Sequence, residues 1–206
     1  NDPHSIECLK HLLNLGFDVH EIWSSHRGEE LPNRIFEIEI DYILCYRSYF
    51  ILPKSLIEKP KYYSINFHPA TPDYPGSGGI NFALYTNELN FGITIHLMAE
   101  KVDTGEILEV KYFKIFADDN LDSLLKRSHD FLFVSFIKFT TKLREIGPSF
   151  IINKLNLNKE IEWSKVKRKA SDIDKLQIID KNTSKVELDR RIRAFNIPAF
   201  PLELDF

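Results

Sequence analysis

The sequence is short of the features that announce many protein classes. Its two cysteines, Cys8 and Cys45, lie far apart and form no Cys-x-x-Cys pair. Both sit among apolar residues and read as buried free thiols. Positive charge is not in excess: 27 Lys and Arg stand against 30 Asp and Glu, a net charge of −3. A general nucleic-acid surface is usually basic, so tRNA or DNA is not the first expectation for a partner. No apolar run approaches the ~20 residues that a membrane-spanning helix needs, and no signal-peptide pattern opens the chain. No membrane partner is therefore expected, and a cytoplasmic location is the default. The pattern Gly-x-Ser-x-Gly of a serine nucleophile is also missing.

What is present is an ordinary globular composition, 43% hydrophobic and 28% charged, in a length that suffices for one α/β core with a small appendage. Sixteen phenylalanines favour a packed core over a disordered tail. There are no repeats and no low-complexity segments.

Asn1-Asp2-Pro3-His4-Ser5 reads as a helix start, with a capping Asp, Pro in the first turn, and Ile6, Leu9, Leu12 and Leu13 at helical spacing. Gly16 suits a left-handed C-terminal cap. Val19 to Trp23 is expected as a short strand, and 31–38 as a short helix. Tyr42 to Tyr46 is a continuous apolar run, the pattern of a buried strand. Pro53 opens a brief helix that closes at Pro60, and a strand from Tyr62 to Phe67 follows. These alternations predict an α/β fold: a Rossmann-like, mostly parallel sheet with flanking helices. In the second half an alternating strand from Gly92 to Glu100 and a second from Ile107 to Phe116 would run antiparallel. Asn120 is placed to cap a long helix from Leu121 to Ile146, ended by Gly147-Pro148. Its Phe131, Phe133, Phe136 and Phe139 suit deep packing or a partner surface. Residues 1–150 are read as one domain and 151–206 as an extension packed on it. In that extension Lys165, Lys167, Arg168 and Lys169 read as a solvated face. Ser184 to Glu187 reads as a capping box before a helix carrying Leu188, Ile192 and Phe195.

The chemistry concentrates between Asn66 and Asp103. Asn66 and His68 are two apart on extended backbone and so share a face. At the carboxyl end of a parallel strand both would face the crevice where open α/β sheets bind ligands. Asp103 follows 103 − 68 = 35 positions later, in the turn Val102-Asp103-Thr104-Gly105. If the three meet, His68 could accept a proton, Asp103 could stabilise the imidazolium, and the Asn66 amide could donate to an oxygen becoming negative. Direct acyl transfer between two bound substrates suits such a set. Each residue also has a plainer reading. A His before Pro is often a strand-end hydrogen-bonding group, Asp-Thr-Gly is a common turn, and His96 could be a satisfied core histidine in a supporting role. His68, His96 and Asp103 could ligate a metal, although zinc sites usually pair ligands more tightly along the chain, and no metal is expected. The loop Gly76-Ser77-Gly78-Gly79 before a helix could cradle a phosphate, but it lacks the Lys-Ser/Thr ending of a P-loop.

Ile65-Asn66-Phe67-His68-Pro69, Pro72-Asp-Tyr74-Pro-Gly76, Thr94-Ile-His96 and Glu100-Lys-Val-Asp103-Thr-Gly105-Glu-Ile-Leu108 together resemble the signature of the folate-dependent formyltransferases. The likeness is strongest over residues 41–116. It implies that Asn66, His68 and Asp103 match the family's catalytic Asn-His-Asp, in a catalytic domain at 1–150, with 10-formyltetrahydrofolate as formyl donor and an amine as acceptor. Tyr46, Ser48, Phe50 and Leu52 become candidates for lining the folate pocket, and Tyr74, Gly76, Ser77, Gly78 and Gly79 for binding the acceptor. The family fold opens with a strand before its first helix. That strand is expected to be absent here, leaving a gap in the sheet beside Tyr42–Tyr46. The loop after His68 is short and free of basic residues, and only about 55 residues follow the core, unlike the methionyl-tRNA enzymes. The tail from Arg190 to Pro198 resembles that of the nucleotide-sugar members. The expected acceptor is therefore a nucleotide-linked 3-amino or 4-amino deoxysugar, of the kind built into lipopolysaccharide O-antigen. Gly76–Gly79, Lys54 or Arg190–Arg193 would be its phosphate contacts. The partners are then small molecules, with a homodimer left open. Glycinamide ribonucleotide as acceptor, a formyltetrahydrofolate hydrolase and a catalytically idle binding protein are the alternatives.

Overall fold

The computed structural model describes residues 2–196 and 202–205, so Asn1 and the Ile197-Pro198 end of the tail resemblance lie outside the described residues. Helix α1 spans Pro3–Asn14; the Asp2 carboxylate accepts from the Ser5 amide at its start. It closes on Gly16 at φ 74°, whose amide donates to Leu13 while Phe17 donates back to Leu12. The central sheet has the order β1 (Tyr42–Tyr46), β2 (Tyr63–His68), β3 (Asn90–Leu97), β4 (Ile107–Lys114). Only β1 and β2 pair in parallel; β2–β3 and β3–β4 are antiparallel, so the described sheet is mixed. Helix α2 (Lys54–Ile57) follows Pro53, and α3 (Gly79–Tyr85) links β2 to β3. A 3-10 turn at Asn33–Phe36 takes the place of the short helix expected there.

Two expectations change. Val19–Trp23 forms no strand, because an apolar run becomes one only with a neighbour to complete its hydrogen bonds, and none pairs with it among the described residues. Among the described residues strand β1 likewise pairs on one side alone, with β2. The strand expected to reach Glu100 ends at Leu97, where the Leu97 amide turns to the Glu106 carbonyl.

One register decides what each face of the sheet does. Ile65 and Phe67 of β2 and Ile93 and Ile95 of β3 point to one side. There they pack against Leu132, Phe136, Phe139 and Leu143 of α4 (Leu121–Ile146) and Cys8 and Leu12 of α1. The phenylalanines of α4 thus serve internal packing. Asn120 caps α4 by accepting from Ser123, as the sequence predicts. On the opposite side of the same two strands lie Asn66, His68, Thr94 and His96, with Cys45 beside Asn66 across β1. A second apolar cluster joins α3, the start of α4 and α7 (Lys185–Phe195) through Phe82, Leu84, Phe91, Leu124 and Phe195.

Beyond α4 run α5 (Ser149–Asn158), α6 (Ala170–Gln177) and β5 (Ile178–Asp180), which pairs in parallel with β6 (Glu203–Asp205). Between α5 and α6 the chain crosses back over the loop that follows His68. Ser164 N–H donates to Pro72 (2.9 Å), Arg168 N–H to Pro75 (3.4 Å), and Ser77 N–H to Arg168 (3.2 Å). No described helix is long and apolar enough to cross a membrane.

Candidate active site

His68 is the last residue of β2 and Asn66 stands two before it, so the alternation of an extended strand puts both on the polar face. The antiparallel partner adds His96 opposite Asn66 and Thr94 opposite His68. Asp103 comes from the β3–β4 turn and is buried, at 5% exposure. It has φ 52°, a left-handed conformation that a residue with a β-carbon adopts at a cost. The turn is pressed on β3: a β-carbon at Gly105 would sit 1.8 Å from the Leu97 carbonyl oxygen, so only glycine fits.

The four side chains meet. Asp103 Oδ1 lies 3.6 Å from His68 Nδ1 and 3.7 Å from His96 Nε2, while its Oδ2 accepts from the Gly76 amide at 2.8 Å. His96 Nδ1 is 2.7 Å from the Leu97 carbonyl and therefore carries the proton, so Nε2 accepts from the Asn66 amide at 3.0 Å. Burial, then the neighbouring His68, lower the His96 pKa from its ordinary 6.5 to about 4. His96 is thus neutral at ordinary pH, and its contact with Asp103 is not an ion pair. The supporting role expected for it takes a definite form: it fixes the orientation of the Asn66 amide. His68 is held more loosely, its Nε2 3.5 Å from the Tyr74 carbonyl. Behind it, Thr94 Oγ1 donates to Ala70 (2.7 Å) and Ser128 Oγ to Pro69 (3.2 Å), anchoring the backbone that leaves the strand.

The other expected residues are divided. Ser48, Phe50 and Leu52 follow β1 at the same sheet edge as His68, because β1 and β2 run parallel. Ser48 is exposed, Phe50 half-buried and Leu52 buried, with Tyr49 and Ile51 standing out beside them. Tyr46 is different. The register pairs it with Phe67, so its ring packs on Phe67 and Phe136, on the opposite side of the sheet from Asn66. The glycine loop also departs from the reading of a phosphate cradle. Its Gly76 and Ser77 amides already donate to Asp103 and Arg168. A β-carbon at Gly76 (φ 93°) would come 2.5 Å from the Arg168 carbonyl oxygen, so the loop's backbone is packed against chain. Tyr74 is buried, its hydroxyl donating to Glu88 at 3.1 Å.

The basic candidates are engaged too. Arg193 donates to the carbonyls of Asp119 (2.8 Å) and Phe116 (3.1 Å), and Arg191 pairs with Glu187 at 2.6 Å. Lys54 lies 3.7 Å from Glu58. Arg168 is not part of a solvated face: its guanidinium lies over the Tyr74 and Phe82 rings, at 4.9 and 4.7 Å from their centroids. Burial raises the Cys8 thiol to about 12 and Cys45 to about 11, which leaves neither ionised near neutrality. No group of three or more metal-ligating side chains among the described residues is arranged to hold an ion.

Sequence reasoning missed Trp163. Its ring meets His96 edge-on at 4.9 Å and His68 at 5.8 Å, and its indole N–H donates to Gly105 at 2.8 Å. A lone aromatic in an irregular polar stretch carries no period, so nothing local pointed to it.

Residues 20–137 match the family described as formyl transferase. A methionyl-tRNA formyltransferase of Ehrlichia ruminantium (strain Welgevonden) is 30% identical over 189 residues, which are 90% of this chain and 57% of that protein. The chain therefore spans little more than half the length of this relative. Among solved structures, an N-formyltransferase of Helicobacter canadensis, complexed with folinic acid and dTDP-3-aminofucose, superposes with a TM-score of 0.70 at 17% identity, covering 100% of this chain and 81% of its own. A formyltransferase of Anoxybacillus kamchatkensis, complexed with a UDP-linked formamido sugar and tetrahydrofolate, gives 0.61 at 20% identity, with 85% of both chains covered. At these identities the structural likeness speaks for the fold.

Proposed function

The chain belongs to the formyl transferase family, and on that premise we propose that it moves a formyl group from 10-formyltetrahydrofolate to the amine of a nucleotide-linked amino-deoxysugar. The observation that carries the formyl-transfer reading is the meeting of Asn66, His68 and Asp103 on the polar face of β2 and its neighbouring turn. The apolar loop after β1, with Phe50 and Leu52 backed by exposed Tyr49 and Ile51, fits a flat heterocycle beside that face. The folate supplies a formyl carbon already bonded to a nitrogen that can leave.

His68 takes the proton that the acceptor amine sheds as it attacks. The resulting imidazolium finds an acceptor for each of its protons, Asp103 at Nδ1 and the Tyr74 carbonyl at Nε2, and gives the proton up to the folate nitrogen as the bond from that nitrogen to the formyl carbon breaks. Asn66, its amide oriented by His96, donates its remaining N–H to the oxygen that gains charge. No nucleophilic side chain is required, in keeping with the two raised thiols.

A compact acceptor is supported by charge. Between Pro69 and Gly79 the only ionisable carboxylate or cation is Asp73, so that loop by itself supplies no cation to a nucleic-acid backbone. A second reading, methionyl-tRNA as acceptor, is favoured by the identity to the Ehrlichia enzyme. The deciding measurement is tetrahydrofolate release and product mass with a panel of amines: dTDP- and UDP-linked amino sugars, glycinamide ribonucleotide and charged initiator tRNA. A formylated nucleotide-linked sugar is expected. Preference for tRNA or for glycinamide ribonucleotide would overturn the sugar assignment and leave formyl transfer standing; folate turnover without any amine would instead indicate a hydrolase.

A further inference from the structure

Trp163 belongs to the stretch that crosses back over the site, and it touches both of the site's imidazoles. Its ring lies edge-on to both imidazoles, and its donor-only N–H is satisfied by the carbonyl of Gly105, two residues after Asp103. The Gly105 position cannot slide, because it lies against the Leu97 carbonyl. Trp163 is therefore fixed relative to the turn that holds Asp103 at φ 52°, and that strained turn needs outside support. His68, with polar contacts of only 3.5 and 3.6 Å, takes its orientation from packing. The stretch is itself tied down, through Ser164 to Pro72 and Lys167 Nζ to the Val102 carbonyl at 2.6 Å.

We propose that Trp163 is a positioning residue that sets the orientation of His68 against Asp103, so that turnover depends on a residue contributed by the C-terminal extension. The inference rests on the reading of His68 as the base. The titratable groups facing this corner are His68 of β2, His96 of β3, Asp103 of the turn and Lys167 of the crossing stretch.

The test measures kcat and KM against pH, with the preferred acceptor, for the full chain and for Trp163→Ala and Trp163→Phe. Misplacing the base should lower kcat about 100-fold in Trp163→Ala with the folate KM within about threefold, and move the acid limb of the profile; Trp163→Phe, which keeps a ring, should lose about tenfold or less. A purely structural role would lower Tm and leave the profile in place. Independently of activity, indole fluorescence in a Trp23→Phe background should change with pH above about 5, where His96 stays neutral, and that change should vanish when His68→Asn is added. If that signal appears while no amine is formylated, the functional reading fails and the positioning stands. Folded Trp163→Ala with wild-type kcat and profile would overturn the proposal, as would a fluorescence titration indifferent to His68→Asn.

Discussion

Asn66 and His68 are two residues apart on one strand, yet the two sides of the site they define are built differently. On the Asn66 side the contacts are short and closed: 3.0 Å to His96 Nε2, and 2.7 Å from His96 Nδ1 to a backbone carbonyl. On the His68 side they are long: 3.6 Å to Asp103 and 3.5 Å to Tyr74. The Asn66 side is held between two paired strands, where backbone register leaves no freedom. The His68 side is held by a turn, a loop and a crossing stretch. A donor for developing charge works best when preset, since preorganisation is where its advantage lies. A proton acceptor can tighten when substrate arrives, and apo contacts of this kind are often long.

If the comparison is right, breaking the looser side should cost most. His68→Ala, and Asp103→Ala beside it, should reduce kcat by about 100- to 10,000-fold, with the fold retained by circular dichroism. Near-wild-type turnover in His68→Ala would refute the assignment. Asn66→Ala should come next, losing roughly 3–4 kcal/mol of transition-state stabilisation read as kcat/KM. Because the amide is preset by His96, the loss should fall on kcat and leave folate KM little changed; a pure KM effect would mean that Asn66 serves binding alone.

The smallest effect sharpens the rigid side by stability. His96 stays neutral in the native protein down to about pH 4, whereas in the unfolded chain it protonates near its ordinary 6.5. Unfolded molecules therefore bind the extra proton, and stability should fall as pH drops from about 6.5 to 4, by about 3 kcal/mol in all. His129, also lowered to about 4, chiefly by burial, contributes in the same direction. Urea midpoints at pH 7 and pH 4.5 should differ accordingly, and His96→Asn should reduce the difference, leaving the part due to His129. An unchanged slope in that variant would mean that His96 is not the buried neutral group.

Much of this was legible in the sequence because it is local. The caps at Asp2, Gly16, Asn120 and Ser184, the apolar run of β1 and the 26-residue helix α4 follow from short-range pattern, and the structure carries them. The capping box at Ser184 is half made: Ser184 accepts from Glu187 N–H, while the Glu187 carboxylate goes to Tyr85 and Arg191. Val19–Trp23 had the composition of a strand and lacks a partner among the described residues, which composition cannot supply. Tyr46 looked like a pocket residue by position. The register with Phe67 sends its ring to the core, and a shift of one residue would have sent it the other way.

By itself the sequence determined that Asn66 and His68 share a face, since a strand's alternation is a property of consecutive residues. It also determined that Asp103 sits in a glycine-containing turn and that the Gly-x-Ser-x-Gly pattern of a serine nucleophile is missing. Only the tertiary structure decided that Asp103 reaches His68, that His96 is neutral and orients Asn66, and that Trp163 packs edge-on against both imidazoles. Those facts rest on contacts between residues 30 to almost 100 positions apart, where chain spacing carries no information and packing alone settles which groups meet.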